Sequence, residues 1–290
     1  MRDLRARTKG EYVRYVAALG RHYGCDPALL NENQIRDYFI LLRTKRHYSG
    51  STMTIARAAL RCFYRDFLKA PKWTVFEELK IRRLTQLPVV LTREEVGSIL
   101  SLVRRDRFRT AFRLIYHCGL RVSEALAIET KHIDSKALRI HIRNGKGGKD
   151  RYVPISPAMG EDLRRFWRRH RNARFLFPSL GRNWRDRGRD GIKHLSCATQ
   201  TMSTSSVQMA FRMALAASGI NKEATVHTLR HSYATHLLEE GVSIRLISQY
   251  LGHESLDTTV IYTHLTAVSE EKTRHVLERL HLQVCQSAQH

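Results

Sequence analysis

With 290 residues, 42% of them hydrophobic, the chain can hold two domains with real cores, which excludes wholesale disorder. Fifty Lys+Arg against 27 Asp+Glu leave a formal charge of +23, and 38 of the 50 cations are Arg, whose planar fork matches phosphate oxygens. This balance disfavours an acidic secreted protein or an ordinary small-metabolite enzyme and favours a polyanionic partner, nucleic acid first.

The first 85 residues read as helices. Thr8-Lys-Gly-Glu11 has capping-box form ahead of Tyr12, Val13, Val16, Leu19 and Tyr23 at helical spacing. Asn31 and Gln34 suggest a second cap before Ile35, Tyr38, Phe39 and Leu42. A third stretch from about Ser51 puts Ile55, Ala59, Leu60, Phe63 and Phe67 on one side, with Pro27 and Pro71 in the gaps. A helical domain over 1–85 is expected, carrying 18 Lys+Arg against 8 Asp+Glu. Arg82–Pro88 breaks the pattern, and a linker is placed at 86–90.

Thr92-Arg-Glu-Glu95 caps the next helix and opens a second domain over 91–290. This domain is expected to be helical with one β interruption. Leu138–Ile142 alternates with period two, Asn144–Asp150 is a Gly/Lys turn, and Arg151–Ile155 returns. Helices are expected at about 157–170, 204–218, 228–240, 243–251 and 256–264, with a last one near 269–282. Residues 179–203 show no period and read as a loop or insertion. The fold class is mainly α with a small β-hairpin or sheet. Both halves are basic, which suits a clamp around a duplex better than a single basic tail would.

No run of about 18 apolar residues is long enough for a membrane helix, and the basic start lacks the apolar stretch of a secretory signal. A cytoplasmic location is therefore expected, with no membrane partner. The five cysteines (Cys25, Cys62, Cys118, Cys197, Cys285) are scattered and form no Cys-x-x-Cys pair. They read as buried or incidental thiols and give no support for a zinc site.

Four clusters could carry chemistry. His227-Thr-Leu-Arg230-His231 sets His227 and Arg230 on one helical face. His227 and His231 have the spacing of a zinc helix, but Thr228 stands where that motif needs Glu, so no metal is expected. The plain alternative is a solvated polar face. Gly145–Lys149 is no P-loop: Asp150 follows Lys149 where Ser or Thr is required, and the segment lies between two strands. It is a hairpin tip carrying Lys146 and Lys149. In Gly119-Leu-Arg121-Val-Ser-Glu124-Ala-Leu126, apolar neighbours would fix Arg121 near the core, where a cation is costly unless paired. Glu124 can pair with it and aim it. Tyr262, taken alone, reads as a core or interface aromatic.

Their order is more specific than any one of them. Arg121, the Lys146 hairpin, His227-x-x-Arg230, Leu251-Gly-His253 and then Tyr262 form a pattern that resembles the tyrosine recombinase (phage integrase) family. Gly119–Leu126, Gly145–Arg151, His227–Leu238 and Thr258–His264 are similar to segments of the bacterial Xer and integron integrases. The likeness runs from about Leu87 to Leu282. It implies a helical core-binding (DNA-binding) domain followed by an α+β catalytic domain.

The resemblance also implies a site-specific DNA recombinase or integrase of the kind that mobile elements carry, working without metal, ATP or other cofactor. Tyr262 would attack the phosphodiester, leaving a 3′-phosphotyrosyl bond and a 5′-hydroxyl. Arg121 and Arg230 would bind the non-bridging oxygens, and Lys146 would protonate the leaving oxygen, with Lys149 its nearby rival. His227 would serve proton transfer at the tyrosine, His253 would hydrogen-bond the phosphate, and Glu124 would orient Arg121. A helix after the tyrosine, with Val276, Leu277 and Leu280 on one face, would contact a neighbouring protomer in a homotetramer on paired sites in double-stranded DNA, or fold back on its own domain. Arg164, Arg165, Arg168 and Arg169 would line a helix for sequence-blind phosphate contact, a solvated face being the alternative. Residues 179–203 match by location an insertion with which integron integrases bind folded single-stranded DNA. The alternatives are a type IB topoisomerase-like nicking and resealing enzyme and a catalytically silent DNA-binding protein.

Overall fold

The structure, a computed structural model, describes residues 6–70, 73–81, 87–143, 150–179, 181, 194–253, 255–263 and 278. The chain divides into two compact units, Met1–Gln86 and Leu87–His290.

The first unit contains α1 (Ala6–Tyr23), α2 (Glu32–Thr44), α3 (Gly50–Arg61) and the short α4 (Val75–Glu78). Leu19, Ile35, Phe39, Leu42, Leu60, Tyr64 and Phe76 meet in its core. Each such side chain contributes roughly 1.5–3 kcal/mol by leaving water. Asn31 and Gln34 form the expected reciprocal capping box of α2, at 2.9 and 3.0 Å. Thr8 and Glu11 do not cap α1, which already runs from Ala6, and Val13 on it is 61% exposed. The third apolar stripe also departs from expectation, with Ile55 and Phe67 at the surface. Beyond Arg61 the chain continues as a π-helical turn, Cys62–Phe67, whose wider pitch carries later residues out of the 3.6-residue phase.

The second unit opens with α5 (Arg93–Ser101), capped reciprocally by Thr92 and Glu95, followed by α6 (Asp106–Cys118) and α7 (Val122–Leu126). A three-stranded antiparallel sheet follows, in the order β1 (Ile133–Asp134), β2 (Arg139–Ile142), β3 (Arg151–Pro154). Ile140 lies opposite Val153 and Ile142 opposite Arg151. The expected alternation therefore puts Ile140, Ile142 and Val153 in the core, and Arg151 on that same inward face. Strand β1 adds to the expected hairpin; its two residues are too few to show a period.

Helix α8 spans Pro157–His170, and a two-residue ladder pairs β4 (Pro178–Ser179) with β5 (Gln200–Thr201). That ladder joins the two ends of the segment read as an irregular insertion. Helices α9 (Thr204–Ser218), α10 (Val226–Glu239), α11 (Ile244–Leu251) and α12 (Asp257–Val260) follow. The last is much shorter than the expected 256–264. Helix α10 packs on α6 and is buried around nearly its whole circumference, from Val226 through His236. The Lys146/Lys149 hairpin tip and the expected 269–282 helix lie outside the described residues, apart from Glu278, which is helical.

Among the described cysteines, Cys118 is buried, Cys62 is half-buried, and Cys25 and Cys197 are exposed. No helix among the described residues is long and apolar enough to cross a membrane.

Candidate active site

The site is assembled around one carboxylate. Helix α6 ends at Cys118, and Gly119 turns the chain at φ +60, where a Cβ would come within 2.4 Å of the Tyr233 ring. The turn delivers Arg121 to the N-cap of α7, and Glu124, three residues on, reaches back to it. Glu124 accepts from the Arg121 backbone N–H at 2.9 Å and from its Nη1 at 2.6 Å. Arg151, arriving from β3, donates Nη1 and Nη2 to the same carboxylate at 3.1 and 2.8 Å. Arg230 Nη1 lies 3.8 Å from Glu124 Oε2. Burial alone would raise the Glu124 pKa; the hydrogen bonds and charges of Arg151 and Arg121 outweigh it and hold the group at about 2. Three guanidiniums share one carboxylate, so the cluster retains excess positive charge at neutral pH.

The second anchor is the end of α11. Three successive carbonyls there each receive a different arginine: Tyr250 O takes Arg151 Nε at 2.7 Å, Leu251 O takes Arg230 Nη2 at 2.8 Å, and Gly252 O takes Arg121 Nη2 at 3.3 Å. A helix C-terminus presents its unpaired carbonyls and the negative end of its dipole, which suits cations. Gly252, at φ +65, lets the Arg151 guanidinium lie against it; a Cβ would stand 3.0–3.1 Å from that group. Arg230 is 2% exposed and also donates to Gly119 O at 2.7 Å. Burial, then the Arg121 charge, lowers its pKa to about 10, so it stays charged at neutral pH.

His253 follows directly. Its Nδ1 meets the buried Thr259 hydroxyl at 2.7 Å, which fixes the ring and leaves Nε2 for another partner. Burial, then the Arg230 and Arg121 charges, lowers the His253 pKa to about 4. Tyr262 is 3% exposed and packs with Tyr233, Ala234, Ile247 and Leu251. Its Oη lies 2.9 Å from Nδ1 of His231. Burial raises the phenol pKa, opposed by the charges of Arg230 and Arg121. His227 stands in the first turn of α10 with its ring perpendicular to that of His231, centroids 5.2 Å apart. Its ring is accessible at the rim, yet the protein around it still withdraws enough solvent to lower its pKa, helped by Arg230 and Arg121.

Of the residues singled out in the sequence, Arg121, Glu124 and Arg230 are joined directly, His253 is next to the carbonyls that hold them, and Tyr262 and His227 meet through His231. Lys146 lies outside the described residues. Arg164, Arg165, Arg168 and Arg169 sit on α8 and are ion-paired: Arg164 and Arg168 with Glu161 at 2.5 and 3.6 Å, Arg165 with Asp162 at 3.8 Å, and Arg169 with Asp106. Three participants escaped the sequence reading. Thr259 carries no signal beyond its place before Tyr262. Arg151 could have been noticed as a cation at an inward position of an alternating strand. His231 was visible only as half of a rejected zinc pair. Among the described residues no group of three or more His, Cys, Asp or Glu is placed to hold a metal ion.

Comparison with known proteins gives a consistent result. The family model described as the phage integrase family matches residues 89–268, and that of the phage integrase N-terminal SAM-like domain matches residues 1–73. A putative integrase/recombinase, y4qK, of Sinorhizobium fredii is 35% identical over 266 residues, covering 91% of this chain and 81% of the relative. Tyrosine recombinase XerA of Thermococcus kodakarensis is 35% identical over 248 residues, covering 82% and 78%. In fold, the chain is similar to the Tn1549 transposon integrase solved with circular intermediate DNA, with a TM-score of 0.71 at 17% identity, covering 96% of this chain and 95% of that one.

Proposed function

The chain belongs to the phage integrase family of tyrosine recombinases, and from that premise we propose that Tyr262, Arg121, Arg230, His227, His253 and Lys146 form its strand-transfer site, with Glu124 aiming Arg121. The enzyme is a DNA strand transferase acting in site-specific recombination. Tyr262 is the nucleophile of this reading: its hydroxyl bonds to phosphorus, the bond to the 5′-oxygen breaks, and a 3′-phosphotyrosyl linkage holds the strand until a 5′-hydroxyl reverses the step.

A phenol of raised pKa is a weak nucleophile at neutral pH, so the surroundings must do much of the work. Arg121 and Arg230 offset the charge that grows on the non-bridging oxygens. Both are held in place before substrate arrives, by Glu124 and by the 251 and 252 carbonyls, so little reorganisation is left for the transition state. His253, fixed by Thr259, offers its other nitrogen to the phosphate. Lys146 protonates the departing oxygen. The observation that carries this reading is the anchoring of Arg121 and Arg230 on Glu124 and on the 251 and 252 carbonyls, immediately before His253.

Residues 1–85 would supply the DNA-gripping unit and 91–290 the catalytic one, joined at 86–90 and closing as a homotetramer on paired duplex sites. The C-terminal 269–282 segment would bridge protomers, and residues 179–203 would reach folded single-stranded DNA. The working compartment of this reading is the cytoplasm, at the nucleoid. The test is incubation with a sequence-diverse pool of nicked duplexes, whose short 5′-hydroxyl fragments diffuse away after cleavage. A denaturation-resistant protein–DNA adduct, lost in Tyr262→Phe, is expected. An adduct that survives in Tyr262→Phe means another nucleophile.

A further inference from the structure

We propose that His231 takes the proton from the Tyr262 hydroxyl as the tyrosine attacks, and returns it when the phosphotyrosine is resolved. The inference rests on the reading of Tyr262 as nucleophile and assigns to the second histidine of α10 a task that the family resemblance implies for the first, His227.

The geometry is direct. His231 Nδ1 lies within hydrogen-bond reach of Tyr262 Oη, at 2.9 Å, with the rings tilted by 47° and their centroids 5.8 Å apart. Proton acceptance requires that reach before it requires any particular basicity. His231 is also well held: it stands on a helix buried around nearly its whole circumference, directly after Arg230, with the His227 ring perpendicular to its own at 5.2 Å. His227, nearer the mouth, is one ring further from the phenol and is placed to pass the proton on towards solvent.

The electrostatics explain how such a histidine is switched on. In the DNA-free enzyme, burial and then the neighbouring His227 and Arg230 keep His231 neutral and a weak base. The groups around it are His227 and Arg230 on its own helix, Tyr262 from the turn after α12, and His253 from the turn after α11. Arg121 and Glu124 on α7 complete the charged surroundings. A phosphodiester bound at Arg230 and Arg121 brings a negative charge that counters those cations, so the base strengthens when substrate is in place.

The proton account closes. Oη–P forms as the Oη proton passes to His231 Nδ1; P–O5′ breaks as the oxygen takes a proton from Lys146. His231 ends protonated and Lys146 neutral, and religation runs both transfers backwards.

The experiment compares His231→Gln and His231→Ala with the unaltered enzyme in single-turnover cleavage of nicked duplexes recovered from the adduct pool. DNA binding by gel shift and the thermal midpoint are measured alongside. The expected result is normal DNA binding and a fall in cleavage of about a hundredfold or more, the usual worth of a positioned proton acceptor. The variants should then recover roughly tenfold per pH unit above neutrality as the phenol ionises by itself. A substrate with sulfur at the bridging 5′ position, which needs no acid at the leaving atom, should rescue Lys146→Ala and leave both His231 variants slow. Gln keeps a hydrogen-bonding side chain of similar reach, so it carries the test if Ala unfolds. Cleavage by His231→Gln at the unaltered rate would overturn the proposal and leave a resting latch; so would rescue of the His231 variants by the sulfur substrate. An adduct in Tyr262→Phe would sink the underlying reading separately, whatever the His231 variants do.

Discussion

Arg151 grips Glu124 with both terminal nitrogens, at 3.1 and 2.8 Å, while its Nε holds the carbonyl of Tyr250. One side chain thus ties the strand that leaves the Lys146 hairpin to the carboxylate that aims Arg121 and to the helix end that precedes His253. Strand β3 and the arginine clamp are therefore set in register by an ion pair whose partners are 9% and 7% exposed.

Replacing either partner should therefore cost more than one contact. Glu124→Gln leaves three guanidiniums facing each other with no carboxylate, two of them buried, and breaking a buried pair in this way costs about 3–5 kcal/mol. Arg151→Lys keeps the charge but cannot make the two-pronged contact or reach the Tyr250 carbonyl at the same time. Both variants should melt earlier, Glu124→Gln more so, and adduct formation should fall about tenfold or more. A thermal melt and an adduct time course decide it. Unchanged cleavage in Arg151→Lys would mean that β3 and the clamp are independent.

The glycine between α6 and Arg121 gives a second test. Gly119→Ala would drive a Cβ to 2.4 Å from the Tyr233 ring and 2.8 Å from Leu251, at a φ that alanine disfavours. The same carbonyl that holds Arg230 must shift with it. A loss of roughly 2 kcal/mol or more is expected, together with slower cleavage. Gly241→Ala, also at positive φ (+84) but with open space around it, is the control and should cost only about 1 kcal/mol of backbone strain. Denaturant melts of the two side by side separate steric cost from conformational cost.

His231 and His253, each lowered to about 4, predict the acid limb of stability. Their pKa values are below the unfolded value of about 6.5, so the unfolded chain binds more protons between the two. Their contribution to stability is complete above about pH 6.5 and is lost as pH falls towards 4. Glu124, held at about 2 and so below its unfolded value of about 4.3, adds a further loss as pH falls from that value through 2. Thermal midpoints measured from pH 7.5 to 4 should decline across this window, and His253→Gln should flatten part of the decline. A midpoint independent of pH down to 4 would contradict the neutral burial of both rings.

Much of this was legible in the sequence because it is local. Capping boxes such as Asn31–Gln34 and Thr92–Glu95, the alternation of β2 and β3, and the i, i+3 pair of Arg121 and Glu124 all depend on neighbours a few residues apart. The order of Arg121, His227-x-x-Arg230, His253 and Tyr262 also names the family. What could not be read is what the fold joins across the chain. Arg151 meets Glu124 from 27 residues away, and His231 meets Tyr262 from 31 residues away. The π-helical turn after Arg61 gave no warning either, since a one-residue change of pitch leaves composition unchanged while moving Phe67 to the surface. Spacing along α8 suggests phosphate contact or a solvated face for its arginines but cannot show their ion pairs, which depend on Glu161 and Asp162 on the same helix and Asp106 on another.

Those ion pairs leave a decision that salt can make. Arg164, Arg165, Arg168 and Arg169 share Glu161, Asp162 and Asp106, and Asp162 is drawn on by Arg113 as well. Cations outnumber carboxylates on this face, and exposed pairs of this kind are worth about 0–1 kcal/mol each. Exchanging a carboxylate for a DNA phosphate is therefore nearly free, and the counterions released favour it. The double variant Arg165→Ala/Arg168→Ala should leave the melting temperature almost unchanged. It should weaken DNA binding equally on all sequences and reduce the slope of log affinity against log salt by about 0.9 per arginine removed. A slope identical to that of the unaltered enzyme would place this face in solvent and leave the rest of the +23 charge to hold the duplex.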